Sequence, residues 1–163
     1  NVETVRKAIE KNNPRAQIVL ADSELIAENC EQIRGKRVLA IEDGPTLTHS
    51  EMEYGAGVIA ARRFGASQLI DPRPYLVGTL KKTFKNYPGI GSLLPAMGYS
   101  TNQVNDLEIT INNAECDLVL MATPIDLTRL IHIQKPILRV RYDYKDHGKP
   151  TLSEVLAQRL ESN

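Results

Sequence analysis

E-D-G-P-T-L-T-H-S-E-M-E-Y-G-A-G, at residues 42–57, is the stretch whose reading decides the fold. A short apolar run precedes it, Arg37-Val38-Leu39-Ala40-Ile41, and a small-residue helical pattern follows, Val58-Ile59-Ala60-Ala61-Arg62-Arg63-Phe64. Strand, long loop and helix in that order form the unit of an open α/β sheet, where ligands sit outside the carboxyl ends of the strands. The loop gathers two carboxylates (Glu42, Asp43), two threonines (Thr46, Thr48), a histidine (His49) and three glycines (Gly44, Gly55, Gly57). Glycine lets a backbone approach an anion, and a helix N-terminus adds N–H groups and a favourable dipole. A plain polar connection is the competing reading, but loops this long inside compact domains are usually functional or disordered.

Working outward, residues 1–12 read as an amphipathic helix (Val2, Val5, Ile9) stopped by Asn12-Asn13-Pro14. The pattern predicts a buried strand over 17–21 and a brief helix over 28–33 that ends at Gly35. After the loop, the helix over 56–64 closes at Gly65, and 67–70 forms a strand terminated by Asp71-Pro72-Arg73-Pro74. Residues 76–87 read as a helix whose Lys81, Lys82 and Lys85 form a solvated face, and 88–99 as a second connection rich in glycine and proline. Ser100 or Thr101 caps a helix running to about Asn113. Leu118-Val119-Leu120-Met121-Ala122 is the most apolar run and predicts a central strand. Thr123-Pro124 suits the start of a helix to about Ile131, and 136–142 reads as a strand. Thr151-Leu152-Ser153-Glu154 is a capping box opening a last helix with Leu152, Val155, Leu156 and Leu160 on its inner face. The alternation predicts a single α/β domain over 1–163, a doubly wound, mostly parallel sheet in a Rossmann-like three-layer sandwich.

Bulk properties narrow the partners. Of 163 residues, 42% are hydrophobic and 25% charged, which is ordinary for a globular domain. Lysine plus arginine equals aspartate plus glutamate at 20 each, so no global field draws nucleic acid or a membrane surface and anion binding must be local. No apolar run approaches the ~20 residues of a membrane span, and no signal peptide is visible. Cys30 and Cys116 lack metal-ligand spacing and read as reduced thiols, which points to a cytoplasmic home. The chain opens at Asn1 already inside a helical pattern, as a piece of a longer protein would.

Three strand ends carry the candidate chemistry: Asp43 to His49, then Asp71 and Arg73, then Thr123, Asp126 and Arg129. In a parallel sheet those ends converge on one edge. Such a set suits a phosphorylated small molecule, with a divalent cation held through carboxylate oxygens as an option and no metal ligands assigned. Asp43 and His49 are the candidate catalytic residues, with His49 a proton donor or phosphate contact. Thr46, Thr48, Gly55, Gly57, Asp71, Arg73, Thr123, Asp126 and Arg129 are the candidate substrate contacts. Each has a plainer alternative: Asp71 a turn residue before proline, Thr123 a helix cap, Asp126 a charge complementing a helix dipole, His49 a turn histidine. Arg139 and Arg141 share one strand face and either line the cleft or lie on a solvated edge strand. No G-x-x-x-x-G-K-[ST] occurs and Gly55-Ala56-Gly57 does not complete G-x-G-x-x-G, so nothing here hydrolyses a nucleotide unaided.

Several stretches together resemble a known family: 42–49, Y-G-A-G at 54–57 with A-A-R-R at 60–63, D-P-R-P-Y at 71–75, L-P-A-M-G-Y at 94–99, T-P-I-D-L-T-R-L-I at 123–131 and R-V-R-Y at 139–142. In order, from about residue 36 to the end, they are similar to the C-terminal half of cyclic 2,3-diphosphoglycerate synthetase and the related predicted GTPases. Residues 1–22 resemble the tail of a preceding P-loop domain. The resemblance implies a longer protein in which that N-terminal domain binds ATP or GTP with magnesium and this module holds the phosphorylated substrate for phosphoryl transfer. A non-catalytic ligand-binding or interaction module of a GTP-dependent switch is the alternative, and self-association into a homo-oligomer stays open.

Overall fold

The computed structural model describes residues 2–44, 54–96, 98 and 100–161. In chain order its elements are α1 (Val2–Asn12), β1 (Ala21–Ala27), β2 (Arg37–Asp43), α2 (Ala56–Arg63), β3 (Gln68–Leu69), α3 (Gly78–Asn86), β4 (Leu94–Ala96), α4 (Thr101–Asn113), β5 (Leu118–Ala122), β6 (Ile137–Asp146) and α5 (Leu152–Glu161). Short 3-10 turns occur at Cys30–Ile33, Arg73–Tyr75 and Leu127–Arg129. Contacts divide the chain into two units, residues 25–142 and the terminal segments 1–24 with 143–163.

The sheet has six strands in the order β1-β6-β5-β2-β3, with β4 also paired to β2. All pairings of β2 are parallel, as is that of β5 with β6. Along one side of β2 the neighbour changes: Arg37 and Val38 pair with β3, whereas Ile41 to Asp43 pair with Leu94 to Ala96 of β4. On its other side β2 runs level with β5, Val38 opposite Leu118 through Glu42 opposite Ala122. The strand order therefore reverses between β2 and β5, and a cleft opens there at their carboxyl ends.

Helices cover both faces of this sheet, which is why β2 and β5 are continuous apolar runs and not alternating ones. Leu39, Ile41, Val119 and Met121 pack with Leu80, Phe84, Leu107 and Ile111 from α3 and α4. Val38, Leu118, Leu120, Leu138 and Val140 pack with Ala56, Ala60 and Ala61, whose small side chains let α2 lie close to the sheet. Burying each leucine or isoleucine stabilises the fold by roughly 2 kcal/mol. The Rossmann-like α/β sandwich expected from the sequence is the fold observed.

Several local readings change. Residues 94–96 form β4 although Pro95 lies within it; an edge strand with one pairing side tolerates a missing N–H. No α-helix follows Thr123-Pro124. Asp126 caps the Leu127–Arg129 turn, accepting from the Thr128 N–H at 3.1 Å and its hydroxyl at 2.6 Å, so the side chain satisfies the backbone before a helix can form. The strand expected at 17–21 lies at Ala21–Ala27 instead. Ser100 does cap α4, in a capping box with Gln103.

In the terminal unit, Asp22 meets His147 at 3.0 Å and Glu24 meets Lys145 at 2.9 Å. Numbers fall on one strand as they rise on the other, so β1 runs antiparallel to β6. Thr151 and Glu154 form the expected capping box, with bonds of 2.9 and 3.2 Å. The face of α5 expected to point inward is open: Leu156 is 52% and Leu160 77% exposed. Val2 and Val5 of α1 are exposed as well.

Candidate functional site

At the β2/β5 divide lies a cavity of about 380 Å³ within the unit of residues 25–142. Among the described residues its polar groups come from the ends of two strands and the middle of a third: Glu42 and Asp43 from β2, Thr123 after β5, and Arg141 and Tyr142 halfway along β6. Ala56, Ala122, Pro124 and Val140 supply apolar wall, and Gly55 closes one side.

Glu42 organises this place. It ends the buried run of β2 and is itself 2% exposed. Helix α2 begins at Gly55, which has no side chain to cap it. Glu42 supplies the missing acceptor from across the loop, with its Oε1 taking the Val58 N–H at 2.9 Å and the Gly55 N–H at 3.2 Å. Burial pushes the carboxyl up to about 7, against the opposing pull of the Val58, Gly55 and Gly57 N–H groups. Across the cavity, burial and then the Glu42 charge hold the Tyr142 phenol above its ordinary value.

These contacts change the meaning of the glycines. A Cβ on Gly55 would lie 2.5 Å from Glu42 Oε2, and one on Gly57 would lie 3.2 Å from both Ala122 Cβ and Glu42 Oε1. Neither has a positive φ, so close approach is what requires glycine here. The anion they admit is the protein's own carboxylate. The Gly55 and Val58 N–H groups at the start of α2, where the sequence suggested an anion site, are bonded to Glu42.

Of the candidates from the sequence, Asp43, Gly55 and Thr123 line the cavity together, and Gly57 lies behind Glu42. Thr123 is buried, and its hydroxyl donates to the Ile125 carbonyl at 2.6 Å. Asp71 and Arg73 are not at this mouth. β3 reaches only the Val38 level of β2, β4 takes its place beyond, and the chain after β3 leaves the sheet at that lower level. There Arg73 pairs with Asp71 at 2.9 Å, bonds the Ile90 carbonyl and stacks 5.3 Å from the Phe84 ring. Asp126 and Arg129 belong to their own turn; they stand 3.9 Å apart, and Arg129 is 84% exposed. Thr46, Thr48 and His49 lie outside the described residues.

Arg141, one of two arginines with an open reading, does line the cleft, and β6 is not an edge strand because β1 covers it. Glu42 and Tyr142 are contributors absent from the candidate set. A charged residue closing an apolar strand is a usable signal for Glu42, since such a side chain stays buried only with partners. Tyr142 had no comparable signal. Among the described residues no group of three His, Cys, Asp or Glu could hold a metal ion. No helix among them is long and apolar enough to cross a membrane.

Fold and cleft together define an α/β module with a ligand-sized cavity at its topological switch point. The chain is 50% identical over 158 residues to the arginine synthetase ArcE of Thermococcus kodakarensis, a match covering 97% of this chain and 35% of that protein. It thus spans about a third of the length of this curated relative. No protein-family model and no solved structure matches the chain.

Proposed function

We propose that this chain is the substrate-holding part of a nucleotide-dependent synthetase, with its substrate in the cleft between β2 and β5. The observation that carries this reading is the cavity itself, about 380 Å³ at the reversal of strand order, walled by apolar residues with a few convergent polar groups. The similarity to a protein named as an arginine synthetase supports ligation over nucleotide-switch chemistry. It favours arginine or its precursor as the cleft's ligand over the diphosphoglycerate that the sequence resemblance implied. ATP or GTP with magnesium then belongs to a preceding P-loop domain of the longer protein, which activates one reactant while this module holds the other. In this chain the cleft's donors and acceptors are Asp43, Thr123, Arg141 and Tyr142 beside the buried Glu42.

Amide chemical-shift mapping of the 163-residue chain with L-arginine, and separately with inorganic phosphate, tests the location. Shifts concentrated at Asp43, Ala56, Thr123 and Tyr142 are expected. Saturable shifts confined to other segments, or none with either probe, would remove the cleft as the ligand site.

A further inference from the structure

Besides the cleft, the unit of residues 25–142 holds a second cavity of about 340 Å³, between β6 and the segment that follows β1. Side chains two residues apart on a strand share a face, so Ile137, Arg139 and Arg141 line it in a row. The two arginines are rooted about 7 Å apart by the rise of the strand. Glu28, Asn29 and Gln32 line the cavity from the other segment. Asn29 opens the Cys30–Ile33 turn at a φ of 57°, in the left-handed region that asparagine tolerates. Its side chain makes no capping bond to that turn, and it lines the cavity instead. Two guanidiniums and two carboxamides, all carrying N–H donors, therefore converge on one space.

Each arginine has an acidic neighbour, at a distance that holds it loosely. Arg141 lies 3.7 Å from Glu28, and Arg139 lies 3.9 Å from Asp126 and 3.5 Å from the Pro124 carbonyl. Those ion pairs are longer than a hydrogen bond. The Arg139 and Arg141 side chains are 50% and 64% exposed and that of Glu28 81%, so solvent screens the pairs and they contribute little. Asp126 gives its Oδ1 to Thr128 and turns Oδ2 toward Arg139. A guanidinium has five N–H donors in a planar fork, more than one such contact uses.

We propose that this cavity is an oxyanion site of the phosphate class, in which Arg139 and Arg141 clamp phosphoryl oxygens and the Asn29 and Gln32 amides complete the contacts. A carboxylate fills one fork with its two oxygens, whereas a phosphate has oxygens enough to engage both arginines at once. The site goes beyond the reading of the β2/β5 cleft and does not depend on it. The two share one residue, Arg141, which lines both cavities. A phosphoryl group held here is thus a single side chain away from a ligand in the cleft.

Titrating the intact, isotope-labelled chain with inorganic phosphate and, separately, acetate at equal ionic strength tests the site. Asn29, Gln32 and Arg139 are the diagnostic signals, because they line this cavity and not the cleft. Saturable phosphate shifts at all three are expected, with acetate about tenfold weaker or worse, the loss of one charge-assisted contact. Arg139→Gln and Arg139→Lys should each weaken phosphate about tenfold or more, since lysine lacks the planar fork. Asn29→Gly keeps the positive φ and removes only the amide; it and Gln32→Ala should each weaken phosphate about threefold. Lys81→Gln removes the same charge from the exposed face of α3 and should bind as the wild type does, with thermal melts showing that every variant folds. Phosphate shifts that do not saturate at the three residues, full affinity in a folded Arg139→Gln, or an equal loss in Lys81→Gln would overturn the proposal. Acetate binding as tightly as phosphate would overturn the phosphate class. L-arginine shifts at Asp43 and Thr123 with phosphate silent would retire this site and keep the cleft; phosphate shifts here with L-arginine silent would do the reverse.

Discussion

Replacing Glu42 by glutamine keeps an oxygen for the Gly55 and Val58 N–H groups and removes an ionisation. The folded carboxyl titrates near 7 and the unfolded one near 4.5, so between those values the native state holds more protons than the unfolded state. Stability is full below about 4.5 and falls as pH rises through that window. The difference amounts to up to about 3 kcal/mol. Glu42→Gln should flatten this slope, so denaturant midpoints of the two proteins diverge from pH 5 to 8 with the variant the steadier (pH values set roughly by the same titration window). A wild-type stability that rises over this window would contradict the account. Gly55→Ala tests the same contact from the other side. Its new Cβ, 2.5 Å from Oε2, must displace the carboxylate or the helix start, at about 1–3 kcal/mol. Gly57→Ala, at 3.2 Å, should cost less, and thermal melts of the pair give the ranking.

Elements decide whether a side chain can reach the cleft at all. Arg73 illustrates it: a strand-end arginine in sequence, it sits where β3 has stopped and β4 has not begun. Its partners there are Asp71, the Ile90 carbonyl and the Phe84 ring, all holding α3 and the chain before β4. Arg73→Ala should lower stability by about 1–2 kcal/mol while leaving ligand titrations at the cleft unchanged. A ligand affinity loss with an unaltered melting temperature would show the opposite role. The sequence made the elements readable where one signal dominated: the apolar runs of β2 and β5, the Ser100 and Thr151 caps, and Gly65 closing α2. It hid β4, because Pro95 argues against a strand and only tertiary pairing with Ile41 to Asp43 overrides that. Thr123-Pro124 imitated a helix start; the competing bonds of Asp126 two residues later were the deciding chemistry. For the site, Asp43, Gly55 and Thr123 were legible as strand-end residues. Glu42 was seen as a loop carboxylate, and its burial could not be read because the capping need arises only when Gly55 comes to rest beside it.

At the scale of the whole molecule, the terminal unit carries apolar helix faces that none of the described residues buries. α1 and α5 contain no buried residue among those described. Charged replacements such as Leu156→Lys and Leu160→Lys should therefore move the chain's unfolding free energy by no more than about 0.5 kcal/mol. A larger loss, measured by urea denaturation, would mean that these leucines are core residues after all.

The sheet's two borders also set how copies of the chain behave when crowded or heated. On one side the outermost strands are only two and three residues long, and the longer contains Pro95, which has no N–H to give a newcomer. On the other, β1 carries Asp22 and Glu24, already engaged with His147 and Lys145. Neither border is a long, flat, apolar template, so edge-to-edge stacking into fibrils meets a blunt end at one side and charge at the other.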